Sequence, residues 1–344
     1  MIAPVYPDIV RLSARMYRED LVSKQLSGTF QPPTDAGVDR LIPLLRRVEE
    51  GSQIDAAEVA FTVANVQHAS QVETVALVNE WSLGWGRDDA KLLVMGTEEA
   101  YAIDRPTDVA QWHCGCAAGW ASGGRREVIE TIDPRLVDPG FGCPPTQAAD
   151  WDRRREFHVH ANDYFRVHLP IWDEDMNKCR RPGRSTWKLL SEVIAGRGNW
   201  RPLLEVYSGT LGDLCHQVEV SAYPARQSVG GMPPTAARLD FLGTLVETFR
   251  KSARVLLFHG RPYEPEWGGR EGLGARFLGL SASTPFEWTK DSFVSEKGRV
   301  QTVWYNTEGE RTVILTRALN GSVQGRVLDR LHQLVGSACG FSGT

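Results

Sequence analysis

Apolar residues recur three and four positions apart over residues 9–26 and 38–50, the spacing that draws one stripe along a helix. A turn segment carrying Pro32-Pro33, residues 28–37, separates these two predicted helices. Residues 56–81 continue the amphipathic pattern and lead into Leu83-Gly84-Trp85-Gly86. Then the pattern changes. Lys91-Leu92-Leu93-Val94-Met95 is a short apolar run, the signature of a strand buried on both faces. It meets Gly96-Thr97-Glu98-Glu99, where a glycine permits a sharp turn and two carboxylates follow at once.

Residues 102–182 keep no period and are rich in Gly, Pro, Trp, Cys and Arg. Loop regions of that length are uncommon in compact chains and are usually functional. Regular patterning returns at Ser185, a suitable N-cap for a helix opening Thr186-Trp187-Lys188-Leu189-Leu190. Residues 215–223 alternate and end at Pro224, which predicts a strand. A helix over 236–251 sets Leu239, Leu242, Leu245, Val246 and Phe249 on one face. Residues 254–260 form a second buried strand with glycine at its end, and 300–305 and 312–315 form two more. The last runs through residues 316–322 into a helix over 323–335.

Strands separated by helices imply crossover connections. The predicted fold is therefore α/β, three-layered (α/β/α), with a mainly parallel central sheet. Residues 1–87 form a helical N-terminal extension packed on the core. Residues 88–344 form the α/β domain, with a loop-rich insertion at about 102–182. There is no internal repeat and no low-complexity linker.

A chain of 344 residues with 42% hydrophobic and 24% charged positions has the composition of a soluble globular protein. Its net charge of −4 argues against a broadly basic nucleic-acid coat, though not against a local basic cleft. Only seven of the 39 cationic residues are lysines; the rest are arginines, whose forked donors suit phosphate. The start MIAPVYPDIVRL lacks a basic segment followed by an apolar core, and no run approaches the roughly 18 apolar residues of a membrane span. A cytoplasmic location with reduced thiols and no membrane contact is expected.

Three features carry candidate chemistry. Ligands of open α/β sheets bind beyond the carboxyl ends of the strands, so the paired acids after Met95 mark a site. Their alternative role is to sit in the first turn of a helix and complement its dipole. In the irregular region, Arg125-Arg126, Arg153-Arg154-Arg155 and Arg180-Arg181-Arg184 interleave with Trp112, Trp120, Trp151, Trp172 and Trp187. That mixture suits gripping a phosphate backbone and stacking on bases; it equally suits a solvated face over a tryptophan core. Cys114, Cys116, Cys143 and Cys179 could supply four sulfur ligands to zinc or an iron–sulfur cluster. The C-x-C spacing fits neither a zinc knuckle nor a ferredoxin run, and buried free thiols explain it as well. His158-Val159-His160 is a weaker metal pair. No G-x-S-x-G elbow, P-loop or strand-linked G-x-G-x-x-G is present, and Gly272-Leu273-Gly274 falls in a loop stretch.

The order of these pieces resembles the uracil-DNA glycosylase superfamily. Its members have a first strand ending in a glycine turn with the water-activating residue, here Val94-Met95-Gly96-Thr97-Glu98-Glu99. A helix follows, and then a strand ending in a polar residue and proline, here 183–193 and 218–224. A helix and a V-L-L-x-x-G strand come next, here 241–260, and last a strand with an H-P-S-like loop, here 314–322. The resemblance covers roughly residues 88–101 and 183–336. Two departures stand out. Arg317 and Asn320-Gly321-Ser322 replace the histidine, proline and serine of the last loop, and Gln217 and Glu219 stand where an asparagine reads uracil.

The resemblance implies a monofunctional DNA glycosylase, without a required cofactor or metal, that hydrolyses the N-glycosidic bond of a flipped-out base and leaves an abasic site. It implies Glu98, with Glu99 as the alternative, as the water-handling acid, and Arg317 as the cation facing the departing base. Gln217, Glu219 and Tyr101 would read the base, while Asn320, Gly321, Ser322, Leu319 and Arg184 would hold DNA. Leu319 is the candidate wedge in the duplex, or else core; Arg317 is otherwise a surface ion-pair partner. The departures point away from uracil, and the insertion rich in Trp and Arg suggests a roomy pocket for a larger modified base, such as the glucosylated hydroxymethylcytosine of phage DNA removed in antiviral defence. The expected partner is DNA and the expected state a monomer. The alternatives are a non-catalytic DNA-binding protein that recognises modified or damaged bases, and a nucleoside or nucleotide hydrolase.

Overall fold

The computed structural model describes residues 8–30, 38–52, 76–86, 89–98, 171–173, 178–180, 186–199, 214–222, 234–260, 272–281, 283–317, 319 and 323–341. Helix α1 (Asp8–Leu26) and helix α2 (Val38–Glu50) form where the apolar stripes predict them. In α1 the stripe Ile9, Val10, Ala14, Tyr17 and Leu21 is buried, and Arg18 Nη2 joins the helix to Glu49 of α2 at 2.8 Å. Of the amphipathic stretch 56–81 only the end is described, and beyond Ala76 the chain is irregular up to Gly84. Polar side chains take over its backbone there. The Tyr17 hydroxyl donates to the Leu77 carbonyl (2.5 Å), Ser13 Oγ donates to the Trp81 carbonyl (2.6 Å), and Asn79 Oδ1 accepts from the Trp81 N–H (2.9 Å).

The strands are β1 (Trp85–Gly86), β2 (Leu92–Glu98), β3 (Ile171–Asp173), β4 (Lys178–Arg180), β5 (Cys215–Ser221), β6 (Val255–His259), β7 (Thr289–Val294), β8 (Val300–Glu308) and β9 (Arg311–Thr316). The remaining described helices are α3 (Thr186–Ala195), α4 (Ala236–Phe249), α5 (Leu273–Leu278) and α6 (Gly325–Cys339). Seven strands make one sheet in the order β1-β5-β2-β6-β9-β8-β7, and β3 pairs with β4 in a small antiparallel sheet. The main sheet is mixed, not mainly parallel. Its four central strands β5, β2, β6 and β9 are parallel neighbours, while β1, β8 and β7 attach antiparallel at the two edges.

The antiparallel edge has a simple cause. Only Gly309 and Glu310 separate β8 from β9, and Gly309 has φ of 58°. Two residues close a hairpin, whereas a parallel crossover needs a dozen or more. The glycines at 272 and 274 do not lie in a loop: Gly272 caps α5, which begins at Leu273.

Helices cover both faces of the sheet. Leu93, Met95, Val218, Val220, Leu256, Phe258, Val313 and Leu315 face α1, α2, α4 and α5 in one core. Leu92, Val94, Cys215, Val255, Leu257 and Ile314 face α3 and α6 in the other. This is the strict alternation of a doubly covered sheet, and it explains why β2 and β6 read as unbroken apolar runs. Helices α1 and α2 share their core with β2 and β6.

Candidate active site

From β2 the chain crosses to β5 on one side, and later to β6 and then β9 on the other. The order thus reverses between β2 and β6. Such a switch point, at the carboxyl ends of the strands, is where open α/β sheets hold ligands. The register fixes what meets there. Gly96 lies opposite Glu219, Met95 opposite Phe258, and His259 opposite Thr316. One residue beyond the Met95 pair, Glu219, Gly96, His259 and Thr316 form a single row across four strands, each roughly 4.8 Å from the next strand. By alternation with Val94, Leu257 and Ile314, this row is on the face covered by α3 and α6.

Gly96 does not turn the chain, as its sequence context suggests; β2 runs through it to Glu98. The glycine answers to its neighbour instead. A Cβ at position 96 would collide with the Glu219 carboxylate, so that carboxylate overlies Gly96, on the line from β5 toward His259. Gln217 Nε2 donates to Glu219 Oε1 at 3.2 Å and fixes it from the same face. A second glycine has a comparable reason: Gly84, at φ 75°, would drive a Cβ into the Gln217 carbonyl.

The end of β5 is pinned by Arg238, which is 2% exposed. Its guanidinium donates to the carbonyls of Glu219 (2.5 Å), Val220 (3.3 Å), Glu80 (2.9 Å) and Ser82 (2.8 Å). Thr235 caps α4 by accepting the Arg238 backbone N–H at 3.1 Å, and its hydroxyl donates to the Glu80 carboxylate. One arginine therefore locks the 80–82 loop to the strand end that presents Glu219. Nothing in the sequence marked it, because Arg238 stands in line with the apolar stripe Phe241, Leu242, Leu245 and Phe249.

His259 is the residue that sequence reasoning passed over with least excuse. It is the only titratable side chain of the run Val255-Leu256-Leu257-Phe258-His259, and it sits before Gly260 at the carboxyl end of β6. It is 8% exposed, and burial lowers its imidazole to about 4. At neutral pH it is an uncharged donor and acceptor in the same row as Glu219, and such a group is able to orient water and move a proton.

The candidates from sequence fall into three groups. Gln217, Glu219, Glu98 and Arg317 lie at or toward the carboxyl ends of the parallel strands: Gln217 and Glu219 are on β5, Glu98 ends β2 opposite Ser221, and Arg317 is exposed directly after Thr316 on β9, two strands from β2. Leu319 does not act as an exposed wedge. It is fully buried with Val323, Val327 and Leu331, because the chain must cover the α6 face as it leaves β9. Glu99, Tyr101, Arg184, Asn320, Gly321, Ser322, His158 and His160 lie outside the described residues.

Cys179 lies in β4 opposite Trp172, while Cys114, Cys116 and Cys143 are outside the described residues. Among the described residues no three His, Cys, Asp or Glu side chains gather to hold a metal. Burial pushes the Cys339 thiol up to about 12 and raises Cys215 as well, which disfavours the thiolate form of both. Among the described residues, no helix is long and apolar enough to cross a membrane. Comparison of the chain with protein-family models, with curated proteins and with solved structures returns no match.

Proposed function

We propose that this protein is a DNA glycosylase that hydrolyses the N-glycosidic bond of a modified base turned out of the helix, on a three-layer core of the uracil-DNA glycosylase kind. One observation carries the reading. Four parallel strands lie side by side, and their carboxyl ends bring Glu98, Glu219, His259 and Arg317 to one rim at the switch point.

In this reading a water attacks the anomeric carbon as the carbon–nitrogen bond breaks. The sugar passes through an oxocarbenium-like state, and the base leaves with the bonding pair, to be protonated. Glu98 orients the water and faces the developing cation. Arg317 stabilises charge on the departing base. Preorganised charges of this kind are worth several kcal/mol each in a site that excludes water. Gln217 and Glu219, fixed to each other, read polar groups of the base, and uncharged His259 completes that wall.

The test is direct. Purified protein is incubated with duplexes carrying glucosylated hydroxymethylcytosine, hydroxymethylcytosine, uracil or no modification, and released bases are identified by mass spectrometry. Release from a modified duplex, alkali-labile strands at the same sites and loss of both with Glu98→Ala support the proposal. DNA bound with no base released would leave a non-catalytic reader of modified bases. Cleavage of free nucleosides, with duplex DNA neither cleaved nor competing, would leave a nucleoside hydrolase.

A further inference from the structure

A second feature lies beyond the same rim, away from the acids. Strand β8 runs antiparallel to β9 with Trp304 opposite Leu315, so residues 300–302 continue past Thr316, where β9 ends. Three residues of strand are about 10 Å, and the turn from β7 to β8 projects farther still. That turn, Ser295-Glu296-Lys297-Gly298-Arg299, leans over the start of α6 and encloses an open groove of about 630 Å³.

Four cations line the groove, Arg197, Lys297, Arg299 and Arg326, against one acid, Glu296. All four are exposed. Arg197 is held in place: its guanidinium occupies the space that a Cβ at Gly325 would need, and its Nε lies 3.5 Å from Asp329. Among the described residues, Lys297, Arg299 and Arg326 form no ion pair. Glu296 and Asp329 offset two of the four cations, which leaves a local excess of two positive charges in a chain of net charge −4.

Hydrogen bonds tie the two walls of the groove together. Gln301, 6% exposed, accepts the backbone N–H of Gln324 at 2.8 Å, and Gln324 Nε2 donates to the Arg299 carbonyl at 3.1 Å. This exchange clamps the hairpin to α6. At the hairpin's base Val294 and Val300 pair across the strands at 59% and 54% exposure, two of the three large exposed hydrophobics among the described residues. An apolar step framed by spaced, forked cations matches an alternation of sugar and phosphate.

We propose that the groove between the β7–β8 turn and the start of α6 binds the phosphate backbone of duplex DNA flanking the base that enters the rim. This rests on the DNA reading above, and goes beyond it in assigning the contact to Arg197, Lys297, Arg299 and Arg326. Cations here steer and position the duplex without reading its sequence. From β6 the groove is reached across β9, β8 and β7, roughly 14 Å at 4.8 Å per strand, within the reach of one bound duplex.

The test compares wild type with the triple variant Lys297→Ala/Arg299→Ala/Arg326→Ala and with Glu296→Lys, by titrating a labelled 30-base-pair duplex across salt concentrations. All four positions are exposed, so melting midpoints should stay near wild type. The triple variant should bind more than about tenfold more weakly near 100 mM salt and flatten the slope of log K against log[salt] by roughly 2–3. Glu296→Lys should tighten binding and steepen the slope by about one. Base release at saturating DNA should keep its kcat in both. Wild type that binds and excises, with both variants unchanged in affinity and slope, overturns the groove alone. Wild type that binds no DNA overturns the groove together with the reading beneath it. Recruitment to vesicles of phosphatidylserine and phosphatidylcholine that the triple variant loses, with DNA affinity unaltered, assigns the groove to a membrane surface and overturns it as well.

Discussion

The Glu219 carboxylate occupies the volume that any side chain at Gly96 would need. The two residues belong to different strands, more than 120 positions apart in sequence, and only the parallel register of β2 and β5 makes them neighbours. Gly96→Ala therefore separates stability from site geometry. The obstructing atoms are the far end of a long side chain that can swing aside, and alanine is a better strand residue than glycine, so urea unfolding should change by only about 1 kcal/mol. The Gln217–Glu219 hydrogen bond should break, and base release should fall by about tenfold or more. A variant with unchanged release would remove Glu219 from the site.

Arg238 offers the opposite case, a residue whose loss is felt in the fold first. Arg238→Ala strips the donor from four backbone carbonyls and opens a cavity beside Phe241. Stability should drop by about 3–5 kcal/mol in urea titration, the range for breaking a buried charged network. Arg238→Lys keeps the charge but not the fork, and should recover only part of the loss. A cost below about 1 kcal/mol would mean that the 80–82 loop holds itself.

Much of this fold was readable from periodicity. The stripes of α1, α2 and α4 and the apolar run of β6 fall within a residue or two of their observed bounds, because each is decided by burial of its own side chains; β2 runs three residues past its apolar run, through Gly96 to Glu98. What escaped reading depended on partners distant in sequence. Strand β7, TKDSFV, is mostly exposed and shows no apolar face, so only its pairing with β8 makes it a strand. The two-residue spacer Gly309-Glu310 was a visible hairpin signal, and it outweighs the expectation of a crossover. At the site, Glu98 and Glu219 could be named from sequence. The register that stacks Glu219 on Gly96 in the row that holds His259 could not.

His259 gives a dependence on pH whose sign follows from burial. Its folded value, about 4, lies below the unfolded value near 6.5, so between these limits the unfolded chain binds the extra proton. Stability from this group is complete above about pH 6.5 and declines as pH falls toward 4, by up to about 3 kcal/mol. His259→Gln should flatten the wild-type slope of unfolding free energy over pH 4–6.5. A slope as steep in the variant as in wild type would assign the acid sensitivity to other groups.

Leu319 separates core from wedge. It is fully buried with Val323 and Val327, so Leu319→Ala should cost about 2–5 kcal/mol of stability, as for other buried leucines. Affinity for duplex DNA, measured well below the lowered melting point, should stay within about twofold. Weaker DNA binding with undiminished stability would restore the wedge.

The division of labour between Glu98 and Glu219 is the sharpest test of the proposed chemistry. Glu98 ends β2, the position from which a carboxylate can meet water at the reacting carbon; Glu219 is committed to Gln217 and lies over Gly96. Glu98→Gln should lower kcat by about 10²–10⁴ with KM nearly unchanged, the pattern of an interaction made only in the transition state. Glu219→Gln should instead raise KM for the preferred base and shift the ranking of modified bases, with kcat reduced by about tenfold at most. If the roles are separate, the double variant shows the product of the two losses; if both acids share one water, the second substitution costs little once the first is made. A large kcat loss in Glu219→Gln with Glu98→Gln near wild type would transfer the water-handling role to Glu219, with His259 of the same row as the candidate base.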